Sequence, residues 1–227
     1  MSPLHLMSKC AKERRDKFYA IAKTENYRAR SAYKLLQLDK YLNILEVETA
    51  VDLCAAPGSW SQVLAKRVKQ VISVDLAPIA PIENVIIIQG DITTQETANS
   101  VISSAGGLVD LVVCDGAPDV TGIHDLDEFV QAELINAAFG ITQKILKVGG
   151  TFVSKIFRGE LTEVLLEEFG KHFEIVQVVK PAASRASSME AFLVCLQKME
   201  KEGQGKIIYE MLECGMEDGI DADRTYE

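Results

Sequence analysis

Residues 51–60, VDLCAAPGSW, join four strand-like residues to a Pro57-Gly58 turn and then to residues that open a helix. A short β-branched run that breaks at a glycine and continues as the helix-like SWSQVLAKRV is the first half of a βα unit. The same alternation repeats downstream. VISVD (71–75) leads to a proline-rich loop, and VIIIQ (85–89) precedes a polar helical stretch at about 95–105. DLVVCD (110–115) is followed by the loop GAPDVTGIHDLD and a helix at about 126–147. GGTFVSKIF leads to LTEVLLEEFGKHF, then EIVQVVK and finally AFLVCLQ. Upstream, 9–22 and 31–42 read as two helices, the second with Ala32, Leu35, Leu36 and Leu42 on one side. Strand-like runs separated by helices imply an α/β fold, a mainly parallel sheet with helices on both faces.

In such a sheet a ligand sits outside the carboxyl ends of the strands, where strand order reverses. That places 54–60 at the candidate site. No GxxxxGK[ST] string occurs, and the turn offers only Gly58 where a dinucleotide fingerprint needs GxGxxG. A pyrophosphate site is therefore not supported. Acids follow three strands instead: Asp75, Asp91 and Asp115. Asp75 is placed to accept ribose hydroxyls, and Asp91 to accept from an adenine amino group. Three carboxylates repel a polyphosphate and suit a ligand with a cationic centre. Each alone could equally cap the helix or turn that follows it.

The chain has 227 residues, enough for one sizeable core with appendages. No apolar run reaches the roughly 18 residues of a membrane helix, and the N-terminal apolar run is too short for a signal peptide. Five cysteines (Cys10, Cys54, Cys114, Cys195, Cys214) are scattered without a CxxC. That pattern suits reduced thiols in a cytoplasmic protein and gives no metal site. Net charge is −9, yet residues 1–34 hold nine Lys/Arg against three acids, and residues 200–227 the reverse. A basic head can bind RNA despite an acidic body, since fields act over a Debye length of about 8–10 Å. The expected organisation is a basic helical extension at 1–30, an α/β domain at 31–198 and an acidic, mobile tail at 199–227.

Six stretches together carry a further inference: DLCAAPGSWSQ, VDLAPIAPI, QGDI, DGAPDVTG, GGTFVSKIF and KPAASRASSMEAF. In this order, across about 27–197, they resemble the FtsJ/RrmJ family of S-adenosylmethionine-dependent RNA ribose 2′-O-methyltransferases. YRARSAYKLLQL and DGAPDVTGIHDLDEF are most similar to the eukaryotic branch that methylates the tRNA anticodon loop. The resemblance implies a Rossmann-like methyltransferase fold with a seven-stranded sheet. It implies a catalytic tetrad at Lys34, Asp115, Lys155 and Glu190, and cofactor contacts at Gly58, Trp60, Asp75, Asp91 and Asp115. It also implies accessory proteins that select the target nucleotide.

Methylating a sugar hydroxyl requires positioning and proton removal. Lys155 shares a strand face with Val153 and Phe157, an unusual place for a cation. A lysine acts as base only when neutral, and its ordinary pKa of about 10.4 makes that cost about 4 kcal/mol at neutral pH. Either Lys155 takes the proton, or it stays charged and orients the hydroxyl while Asp115 takes it. For RNA contacts the candidates are Lys9, Lys12, Arg14, Arg15, Lys17, Lys23, Arg28 and Arg30, with Arg158 and Arg185 from later loops. Tyr27 and Tyr33 could stack a base, although Tyr33 fits an apolar helix pattern. The expected function is 2′-O-methylation of the tRNA anticodon loop. The alternatives are the same chemistry on ribosomal RNA, or a catalytically silent RNA-binding scaffold.

Overall fold

A computed structural model describes residues 18–118, 122–185 and 188–215. Residues 18–24 are helical (α1), followed by α2 (Ala32–Leu42), β1 (Thr49–Leu53), α3 (Ser59–Ala65) and β2 (Gln70–Asp75). Next come β3 (Val85–Gln89), α4 (Gln95–Ala105), β4 (Val109–Cys114), α5 (His124–Ile145) and β5 (Leu146–Phe157). The chain continues through α6 (Leu161–Phe169), β6 (Phe173–Pro181), β7 (Glu190–Lys198) and β8 (Lys206–Cys214). The expected start of α1 near residue 9, with Lys9, Lys12, Arg14, Arg15 and Lys17, lies outside the described residues.

The strands form one sheet in the order β3-β2-β1-β4-β5-β7-β6-β8, in which only β7 runs against the rest. Strand order reverses between β1 and β4, so the carboxyl ends of these two strands open the crevice that such a topology reserves for a ligand. Because successive strand residues face opposite ways, each strand feeds two cores. Val51, Leu53, Val112 and Phe152 pack under α4, α5 and α6, against Val101, Ile135, Phe139 and Phe169. Ala50, Leu111, Val113, Val153 and Phe192 face α2 and α3, against Leu35, Leu38, Trp60 and Leu64. Lys155 alternates with Val153 onto this second face, which is how it meets α2.

Helix α2 is held at both ends. Asn43 adopts φ 53 at its C-terminus, and its amide donates to the Asp39 carbonyl. The Asp39 carboxylate accepts from the Leu45 amide at 2.8 Å. At the N-terminus Ser31 makes no cap hydrogen bond with its side chain; its hydroxyl pairs with that of Ser59 at 2.6 Å. The starts of α2 and α3 are thereby tied together. Burying Leu35 and Leu38 completely stabilises the docking of α2 by about 1.5–3 kcal/mol each.

One expectation is corrected. The chain after Lys198 is not structureless throughout, because β8 adds an eighth strand, parallel to β6. Its apolar residues fall at 207, 208, 211 and 212 and do not alternate. Ile207 and Met211 join one core, while Leu212 and Cys214 join the other. A strand that feeds both cores shows no apolar/polar alternation in its sequence, and its pairing with β6 also shifts register opposite Gln177 and Val179. Residues 216–227 lie outside the described residues. No described helix is long and apolar enough to cross a membrane.

Candidate active site

The turn after β1 is built from both sides. Gly58 has φ 102, and a Cβ there would lie 2.7 Å from Ile82 Cδ1 and 2.8 Å from Arg28 Nη1. Only glycine fits without displacement. The Asp75 carboxylate accepts from the Ala56 amide (2.8 Å) with one oxygen and from the Ala77 amide (2.7 Å) with the other. Arg28 donates to the carbonyls of Pro57 and Pro81, each at 2.8 Å. Arg28, a candidate for RNA, is thus committed to bracing this turn.

Beneath the turn Asp52 is 1% exposed. The Ser61 hydroxyl donates to it at 2.6 Å, and Ser73 donates to Ser61 at 2.7 Å. Burial pushes the Asp52 carboxyl up to about 7; the Ser61 bond opposes this, and the charges of Asp115 and Asp75 add to it. A folded-state pKa above the ordinary 3.8 means that the folded chain holds a proton the unfolded chain releases. That contribution is complete below pH 3.8 and is lost as pH rises through about 7. Asp52→Asn is therefore expected to match the parent in stability near pH 4 and exceed it at pH 8, by on the order of 2–4 kcal/mol. Thermal melts across this range test it; a difference that does not change with pH would refute it.

The structure brings the four tetrad residues together from α2, the end of β4, β5 and the start of β7. Lys34 Nζ lies 2.7 and 2.8 Å from the two Glu190 carboxylate oxygens and 3.7 Å from Asp115 Oδ1. Lys155 Nζ lies 3.2 Å from Asp115 Oδ1 and donates to the Asp115 carbonyl at 2.6 Å. The side chains are between 9% and 18% exposed. Two cations and two carboxylates sum to zero, which makes this burial tolerable. Burial alone would raise the Glu190 carboxyl. The charge and hydrogen bond of Lys34, a bond from Ser184 and the charge of Lys155 outweigh it and hold Glu190 below the usual range. Ser184 donates to Glu190 at 2.7 Å, a contact that no sequence signal singled out among the serines of this loop.

Asp115 and Lys155 line one end of a cleft of about 840 Å³. Its walls include Cys54, Asp75, Pro118 and, from α5, Val130, Glu133 and Leu134. Glu133 was not legible as a site residue, because a glutamate on an amphipathic helix reads as solvated surface. The Cys54 thiol is pushed up by its hydrogen bond to Cys114 and by burial.

Other expected contacts separate. The Trp60 side chain faces the core: it is 2% exposed, packs against Phe192 with tilted rings 5.5 Å apart and donates to the Ser31 carbonyl at 2.8 Å. A cofactor contact at Trp60 would therefore be made by its backbone at the start of α3 and not by the indole. Asp91 accepts from the Thr93 amide (2.9 Å) and hydroxyl (2.7 Å), and the amide bond holds its carboxyl below the usual range, aided by the hydroxyl. It shapes the turn after β3, while Thr93 lines the cleft. Arg30 donates to the Ala183 carbonyl at 2.7 Å. Arg158 Nε is buried without a partner among the described residues. Lys23 and Arg185 are exposed. Tyr33 is core, packed with Phe18 and Ala22, and Tyr27 meets it edge-on at 6.0 Å.

The sequence profile of the FtsJ-like methyltransferases matches residues 27–198, a span that contains all four buried charges and the braced turn. The chain belongs to the FtsJ-like methyltransferase family. Two relatives carry the name tRNA (cytidine(32)/guanosine(34)-2′-O)-methyltransferase. The one from Mus musculus is 44% identical over 97% of this chain and 77% of its own, and that from Schizosaccharomyces pombe 43% identical over 97% and 88%. Among solved structures, a Plasmodium falciparum protein described as a ribosomal RNA methyltransferase superposes with a TM-score of 0.68 at 27% identity. It covers 79% of this chain and 100% of its own. The FtsJ-like cleft also fits the family's cofactor, S-adenosylmethionine. Asp75, Asp115 and Glu133 give the lining a negative field suited to a sulfonium. Val130, Leu134 and Pro118 supply apolar wall for a nucleoside.

Proposed function

We propose that this chain methylates ribose 2′-hydroxyls in the anticodon loop of tRNA. The observation that carries the reading is the neutral charge quartet, two of whose members, Asp115 and Lys155, line an acidic nucleoside-sized cleft. The two relatives named above support the choice of RNA. When bound, S-adenosylmethionine supplies a methyl carbon made electrophilic by its sulfonium. Asp75, the Gly58 turn and Asp115 would hold it, with Asp91 fixing the neighbouring Thr93 turn.

The chain's own residues then have separable tasks. Lys155 and Asp115 face the cleft and form the pair that fixes the incoming hydroxyl and accepts its proton. Lys34, held by both oxygens of Glu190, sets the position of Asp115 from the far side. Lys23 and Arg185 remain exposed for phosphates, whereas Arg28 and Arg30 act by bracing the fold. A cytoplasmic setting is supported by the scatter of the five cysteines along the sequence without a CxxC. Helper proteins that choose the nucleotide fit the commitment of Arg28 and Arg30 to contacts within the fold.

The test is methyl transfer from labelled cofactor to unmodified tRNA and to ribosomal RNA, with the product nucleotide mapped. Ribose methylation within the anticodon loop, at a rate at least tenfold that on ribosomal RNA, is the expected outcome. Preference for ribosomal RNA would replace the substrate. Cofactor binding with no transfer to either RNA, helper proteins included, would leave an RNA-binding scaffold.

A further inference from the structure

Gln131, in the middle of α5, is 1% exposed. Its Nε2 donates to two carbonyls, Gly116 at 3.1 Å and Lys155 at 2.8 Å. Its Oε1 is buried and has no hydrogen-bond partner among the described residues. The orientation of the carboxamide is not in doubt physically: a flip would set an oxygen against two carbonyl oxygens. Packing does not explain the residue, since methionine would fill the same volume without a buried orphan acceptor. What the glutamine adds is two N–H donors at one place.

That place is where β4 and β5 part. Their ladder ends at Cys114 and Ser154, and the next residues on each strand are Asp115 and Lys155. Past this point the two backbones have no direct ladder. On the α2 side, Lys155 Nζ reaches across to the Asp115 carbonyl. On the α5 side, Gln131 reaches to the next carbonyl, Gly116, and to that of Lys155 itself. Three side-chain hydrogen bonds thus close a ring through Asp115–Gly116, Lys155 and Gln131.

We infer that Gln131 is a positioning residue that sets the separation of Asp115 and Lys155 and so the competence of the pair to hold and deprotonate the hydroxyl. This rests on the reading of Asp115 and Lys155 as the reacting pair. The charged groups facing the Lys155 amine are Asp115 from β4, Lys34 from α2 and Glu190 from β7. Glu133 of α5 lines the same cleft, and Asp52 of β1 acts electrostatically on Asp115. Gln131 is neutral, so its effect on this group of charges is through distance.

The experiment compares Gln131→Met and Gln131→Glu with the parent, using tRNA, S-adenosylmethionine and S-adenosylhomocysteine binding to count folded sites. Gln131→Met is expected to lower kcat per binding-competent site by about 10–100-fold, as a sub-ångström to ångström displacement does. Its KM for tRNA and its S-adenosylhomocysteine affinity should stay within about threefold, and its kcat–pH profile should shift. Gln131→Glu donates only when protonated, so its activity relative to the parent should recover as pH falls. An unchanged kcat, or a loss that follows only the folded fraction with an unmoved pH profile and no recovery in Gln131→Glu, would overturn the positioning role. Lys155→Ala run alongside separates the two readings. If it keeps turnover, the reacting pair is wrong; if it is inactive while Gln131→Met is unaltered, only the role of Gln131 falls.

Discussion

Replacing Lys155 with alanine is expected to reduce methyl transfer by about three orders of magnitude or more while leaving cofactor affinity within a few-fold. The amine makes the two shortest contacts to Asp115, and its removal takes away both an orienting donor and the cation that balances Asp115. Lys155→Arg sharpens the test. Arginine keeps the charge but does not give up its proton. Inactive arginine and alanine variants together assign the proton to the Lys155 amine. An arginine variant within tenfold of the parent assigns it to Asp115, with Lys155 orienting the hydroxyl. Lys34→Ala should retain measurable turnover, because Lys34 stands 3.7 Å from Asp115 and spends its shorter contacts on Glu190. Equal losses at Lys34 and Lys155 would refute this division of labour.

Trp60→Ala is expected to give the largest loss of stability of any single change near the site, about 3–5 kcal/mol. The indole fills the space between α2, α3 and Phe192. A domain of this kind has only about 5–15 kcal/mol in total, so the variant should melt far lower or fail to accumulate. Trp60→Phe keeps most of the volume and removes one of the two donors on the Ser31 carbonyl, the other being the Lys34 amide at 3.0 Å. It should cost about 1–2 kcal/mol and leave S-adenosylhomocysteine affinity unchanged. A Trp60→Phe protein with an unaltered melting point and weakened cofactor binding would show that the indole contacts the ligand after all.

The α/β alternation was legible because strand and helix periods differ and glycine or proline marks most of the junctions between them. That four distant charged residues form one cluster was legible through the family resemblance, because each sits in a distinctive local string. Direction was not. A motif records that Trp60 and Arg28 are present, not that one points into the core and the other into its own turn. Asp91 was ambiguous between ligand and cap, and in the structure Thr93 takes one of its two carboxylate oxygens. Strand β8 was hidden because it feeds both cores, so its apolar residues do not alternate with polar ones. Gln131 carried no signal at all, since one glutamine on a long helix looks like any surface position until its carboxamide is seen between two carbonyls.

The hydrogen bond from Lys34 to Glu190 joins positions 156 residues apart. The nucleoside cleft is lined by residues from 54 to 155, whereas the charge quartet joins a helix near one end of the domain to a strand near the other. The chain's two halves therefore meet at the charges and not at the cleft wall. A change at either end of the domain that shifts α2 or β7 reaches Lys34 or Glu190 directly and the cleft lining only through the sheet.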